Sequence, residues 1–109
     1  VNAVIEPGKI VELDVRPSLR KKLEPFQLIM DAVVSLEQED IFVLQATFKP
    51  TPLLGVMKVR GFTHKLEEIQ PDHWIVAFAR GKQAKEQLAD FPLRSFAHPE
   101  KSEVLTDGQ

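Results

Sequence analysis

Two groups of residues in the chain have the types and spacing to do chemistry. Arg16, Arg20, Lys21 and Lys22 lead into Pro25, and Lys49 and Thr51 lead into Pro52. Each proline stands where a helix would begin, and a helix start presents unpaired N–H groups and the positive end of its dipole. Cations beside two such starts would favour a small anion or an acidic segment of a partner protein. The plainer alternative is that the charges solvate a loop, with Arg16 paired to Asp14 or Glu24. Glu24 would itself repel an anion. The candidate ligand-binding set is therefore Arg16, Lys22, Glu24, Lys49, Thr51 and His64.

His64 alternates in step with Phe62 and Leu66, which predicts a half-buried ring at the edge of a core. Its imidazole is the side chain type that titrates near neutrality. Lys22 could act as a base or form a Schiff base only if burial lowered its pKa, and a basic surface loop does not supply burial. His73 reads as a turn residue and His98 as a tail residue, and the three histidines lack metal-ligand spacing, so no metal site and no cofactor is expected. Glu67 and Glu68 are neighbours on a strand, point to opposite faces and cannot form an acid–base pair. Trp74, Phe91 and Phe96 read as core or docking aromatics. No glycine-rich phosphate loop or serine nucleophile motif occurs, and no catalytic residue is assigned. The chain has no cysteine, which excludes a thiol nucleophile, a persulfide carrier and a thiolate zinc site.

The elements that must position these residues follow from periodicity. Lys9 to Val15 alternates as a strand, and Arg16-Pro17-Ser18 stops it in a loop. From Pro25, Phe26, Ile29, Met30 and Val33 fall at i, i+3, i+4 and i+7, an amphipathic helix that should end near Leu36 to Glu39. Ile41 to Phe48 is apolar on both faces apart from Gln45 and Thr47, as in a covered central strand. Thr51-Pro52 opens a short helix closed by Gly61. Phe62 to Ile69 and Trp74 to Arg80 form a hairpin around Pro71-Asp72.

The order β-α-β-α-β-β predicts an α+β fold, a two-layer α/β sandwich with a mixed four-stranded sheet and both helices on one face. Residues 1–80 form this domain, and residues 81–109 form a tail with a short helix from Lys82 to Ala89. The second sheet face carries too much apolar surface for water. Either the tail, through Leu88, Phe91, Leu93 and Phe96, or a homodimer through the same open face must cover it. Lys101 to Gln109 has little apolar content and is expected to be mobile.

The chain of 109 residues fits one core. It has 14 basic and 16 acidic residues, a formal charge of −2, with no bias between its parts, since 10 basic and 11 acidic residues precede Gly81. That balance and the absence of a stacking array argue against nucleic acid. No apolar run of membrane-spanning length and no signal-peptide start is present, so a cytoplasmic location without membrane association is expected.

Leu13-Asp14-Val15-Arg16, Glu24-Pro25-Phe26, Phe48-Lys49-Pro50-Thr51-Pro52-Leu53 and Arg60-Gly61-Phe62-Thr63-His64 together resemble the bacterial domain-of-unknown-function family 2249, over roughly residues 10 to 80. That family is similar to TusA-type (SirA-like) sulfur carriers and, more distantly, to the C-terminal domain of translation initiation factor three. The resemblance implies the same β-α-β-α-β-β sandwich. Sulfur carriers open their first helix with Cys-Pro-x-Pro; here the aligned residues are Lys22-Leu23-Glu24-Pro25, so Lys22 stands at the nucleophile position and the first proline is absent. The expected function is a noncatalytic module that binds a protein partner or a small anionic ligand. The rivals are an enzyme or anion-ligand sensor built on Arg16, Lys22, Glu24 and His64, and, least favoured, nucleic-acid binding.

Overall fold

The computed structural model describes residues 8–100. Strand β1 (Ile10–Asp14) runs parallel to β2 (Ile41–Ala46), which pairs antiparallel with β4 (His73–Arg80); β4 in turn pairs antiparallel with β3 (Phe62–Gln70). The sheet order is β1-β2-β4-β3. Because β3 and β2 both oppose β4, they are parallel to each other. Helix α2 (Phe26–Val34) carries the chain from β1 to β2, and α3 (Thr51–Val59) carries it from β2 to β3. The expected mixed sheet with two crossover helices is the observed architecture.

The local differences have physical causes. Arg16–Arg20, expected as loop, is a single helical turn, α1. Pro17 is tolerated in a first turn, where its missing N–H is not needed, and the Asp14 carboxylate accepts the Arg16 backbone N–H at 3.0 Å. Helix α2 stops at Val34, short of the expected Leu36 to Glu39. There the Ser35 hydroxyl donates back to the Ala32 carbonyl at 2.7 Å, and Asp40 accepts the Glu37 N–H at 2.9 Å and the Lys9 N–H at 2.8 Å. Strand β2 ends two residues earlier than Phe48, which is left exposed.

Turn chemistry differs between the two short helix ends. After α3, Gly61 takes the left-handed conformation (φ +92°), as its expected role of terminator requires. After α1 the same position is filled by Lys22 at φ +60°, with its N–H on the Leu19 carbonyl and the Leu23 N–H on the Ser18 carbonyl. Lysine carries a Cβ penalty of about 1 kcal/mol in this conformation that glycine does not.

Period two places Phe42, Leu44, Val76 and Phe78 on the helix face, against Ile29, Met30, Val33, Leu53 and Met57. Phe78 is fully buried, stacked on Phe42 with centroids 5.9 Å apart and edge-on to Phe62 at 6.3 Å.

The opposite face, with Val43, Ile75, Ala77 and Ala79, is covered by helix α4 (Ala84–Ala89) and the 3₁₀ turn Leu93–Phe96. Ala84, Leu88, Phe91 and Leu93 are the buried residues of this cover. Lys65 on β3 donates to the Ala89 and Phe91 carbonyls, both at 3.1 Å, and holds the end of α4 onto the sheet. The tail thus adds a partial third layer to the sandwich. Lys101 to Gln109 lies outside the described residues.

Phe78→Ala should lower the unfolding free energy by about 3–5 kcal/mol, since a fully buried ring leaves a cavity that its neighbours cannot close. Urea denaturation checks this, and a loss below about 1 kcal/mol would contradict a core centred on Phe78.

Candidate functional site

Two grooves lie at the strand ends from which the helices depart, one on each side of the sheet. The first is apolar and runs between the starts of α2 and α3. Phe26, Ile29, Leu44, Phe48, Leu53 and Val56 line most of it, and its cavity volume is about 240 Å³. Phe26 and Phe48 are 44% and 53% exposed, so they form an open rim over buried Ile29 and Leu44. Glu24 is the one charged residue lining the groove. Its carboxylate accepts the Phe26 N–H at 2.7 Å, so the start of α2 is occupied by a residue of the chain itself.

The second groove is polar and is built on the tail-covered face. The register sets Asp14 beside Gln45 and Gln45 opposite Ile75. Period two then brings His73, two residues before Ile75, to the same face and diagonal to Gln45. The Gln45 side-chain oxygen and the His73 Nε2 are 2.7 Å apart. Since an amide oxygen only accepts, His73 carries its proton on Nε2. The Gln45 amide nitrogen donates to the Phe96 carbonyl at 3.0 Å and to His98 Nε2 at 2.9 Å. His98 therefore bears its proton on Nδ1, which donates to the Pro99 carbonyl at 3.1 Å. Arg16 is 4% exposed; its Nε and Nη2 grip the Asp14 carboxylate at 2.9 and 2.8 Å, and Nη2 also donates to the His98 carbonyl at 3.1 Å. Outside this set, Arg20 bridges Asp72 at 2.8 Å and Glu100 at 3.2 Å. The groove has a volume of about 420 Å³.

The electrostatics follow from burial. Burial pushes His73 below the ordinary histidine value of 6.5, and the Arg16 cation pushes it further down against the opposing pull of Asp14. Burial alone would raise Asp14, but its hydrogen bonds to Arg16 and the charge of Arg16 outweigh it and hold the carboxyl below its ordinary value of 3.8.

The structure divides the expected site residues between these regions. Arg16 belongs to the polar groove and takes Asp14 as its partner. Glu24 belongs to the apolar one. Lys22 and Thr51 are exposed at the α1 end and the α3 start. Lys49 lies within electrostatic reach of His64, whose pKa is lowered by partial burial and then by Lys49 and Lys58. His64 is exposed rather than half-buried, because β3 is an edge strand. Its edge-on contact with Phe78, centroids 6.2 Å apart, ties it to the core. The expected turn residue His73 is the correction, since it is 6% exposed on the first position of β4; His98 lies exposed in the tail as expected, and both rings belong to one network with Gln45. The usable signal was Gln45 itself, a polar residue in an otherwise apolar central strand. No group of three or more His, Cys, Asp or Glu residues is placed to hold a metal ion among the described residues.

A family model described as an uncharacterized conserved protein, DUF2249, matches residues 12–80. The chain belongs to the DUF2249 family. The match spans β1 to β4 and so includes Asp14, Arg16, Gln45 and His73, whereas His98 and the tail lie beyond it. No curated protein and no solved structure matches the chain. No helix among the described residues is long and apolar enough to cross a membrane.

These pKa directions fix a pH dependence. A histidine whose folded pKa is depressed stabilises the protein above its unfolded value and loses that contribution as pH falls through the folded value. Unfolding free energy should therefore stay level above about pH 7, decline below 6.5 as His73 and His64 resist protonation, and decline again below about 3.8 through Asp14. Denaturant titrations from pH 8 to 3 check this, with His73→Gln flattening the upper step; stability rising between pH 6.5 and 5 would contradict it.

Proposed function

We infer that this DUF2249 protein is a noncatalytic recognition module whose apolar groove takes an apolar side chain of a partner protein. The supporting observation is the groove between the two helix starts, with Phe26 and Phe48 exposed over a buried apolar floor. Isolated exposed apolar residues are ordinary, but two aromatic rings on one concave site are not. At about 240 Å³ the groove is smaller than most cofactor sites and suits a single anchoring side chain. In this reading the protein works in a bacterial cytoplasm, as its resemblance to sulfur carriers suggests.

The same resemblance sharpens the chemistry. Persulfide transfer needs a thiol, and the chain has none. The residue at the carrier position, Lys22, is solvent-exposed, which leaves no burial to make it a nucleophile. Glu24 fills the start of α2 that an anion would otherwise seek. An apolar anchor fits this surroundings better than the anionic ligand that the sequence pattern favours.

Indole serves as a probe for such an anchor. Titrated into the protein with methyl groups observed by NMR, it should shift the signals of Ile29, Leu44 and Leu53, and Phe48→Asp, a change at an exposed position, should weaken binding about tenfold, or roughly 1.4 kcal/mol. Shifts confined to other methyl groups, or unchanged by Phe48→Asp, would overturn the reading.

A further inference from the structure

The polar groove on the other side of the sheet holds two buried side chains with unspent hydrogen-bonding capacity. Arg16 and His73 are 4% and 6% exposed, and both line it. Arg16 uses Nε and Nη2 on Asp14 and the His98 carbonyl, which leaves both hydrogens of Nη1 without a partner among the described residues. His73 uses Nε2 on Gln45, which leaves the Nδ1 lone pair without a donor. Among the described residues the sealed, unsatisfied side-chain atoms are Arg80 Nε and Gln87 Oε1, and neither Nη1 nor Nδ1 is one of them. Arg16 and His73 both line the groove, so it is the surface their side chains share.

We propose that this groove binds a small hydroxycarboxylate, its carboxylate accepting from Arg16 Nη1 and its hydroxyl donating to His73 Nδ1. The fixed tautomer decides the hydroxyl. Gln45 holds the His73 proton on Nε2, so the free nitrogen can only accept, and a ligand that lacks a donor leaves it unmet. Gln45 is thus a positioning residue for His73. The charge balance decides the anion. Asp14, Asp72 and Glu100 stand near Arg16 and Arg20, three negative charges against two positive, so a monoanion relies on the Arg16 Nη1 donors to offset the local charge, and a dianion is disfavoured further. The same burial that keeps His73 neutral preserves the acceptor at pH 7. This site is separate from the apolar groove and stands or falls independently of it.

The test is a titration of the full chain at pH 7.5 with glycolate, acetate and inorganic phosphate, followed by calorimetry and by the ring-proton NMR signals of His73. Glycolate should shift those signals to saturation. Acetate, which has the carboxylate without the hydroxyl, should bind about tenfold more weakly, the equivalent of one hydrogen bond, and phosphate, largely a dianion at this pH, more weakly than glycolate. His73→Leu, which has no acceptor, should if folded bind glycolate and acetate alike; if it does not fold, the ligand series on the native chain decides. Acetate binding as tightly as glycolate, phosphate binding more tightly than glycolate, or no ligand moving the His73 signals would overturn the proposal, and so would a folded His73→Leu variant that still prefers glycolate.

Discussion

A buried amide must have its hydrogen bonds made inside the protein, and Gln45, at 1% exposure in the centre of the sheet, imposes that condition on everything around it. Its oxygen takes the His73 proton donor, and its nitrogen takes the Phe96 carbonyl and His98. One residue thereby fixes the first position of β4, the path of the tail and the tautomers of two histidines. Replacing Gln45 or His73 by an apolar residue would leave a buried polar atom of the other without its partner. The apolar cover of Ala84, Leu88, Phe91 and Leu93 supplies the area of the tail's attachment, whereas the Gln45 network supplies its register.

The two sides of the sheet divide the labour. On the helix side the strands present aliphatic and aromatic side chains, and where the helices diverge at their starts the packing leaves an apolar groove. On the tail side the same strand ends present Asp14, Gln45 and His73, and there the covering segment meets them with carbonyl groups and an imidazole. The chain has no thiol and so cannot carry a persulfide. The scaffold presents two differently dressed concave surfaces, one apolar and one polar.

Much of this was legible in the sequence. Alternation and helical spacing located all four strands and both crossover helices, because each is set by local burial patterns. The double-sided apolar character of β2 and β4 announced that a further layer was needed. What stayed hidden was non-local. His73 directly follows a Pro-Asp turn and has the local surroundings of a loop residue; only the pairing of β2 with β4 turns it inward toward Gln45. The partner of Arg16 was open between Asp14 and Glu24 because both are near in sequence, and the single turn α1 decided for Asp14 by bringing the guanidinium back over the end of β1. The meeting of His98 with Gln45 depends on how the tail crosses a sheet face, which no periodicity encodes.

Gln45 dictates opposite proton positions on the two histidines. The most direct measurement is the long-range proton–nitrogen NMR spectrum of the imidazole rings at pH 7.5. The account predicts His73 protonated on Nε2 with a bare Nδ1, and His98 protonated on Nδ1 with a bare Nε2. The same tautomer in both rings, or rapid averaging between tautomers in His73, would contradict it.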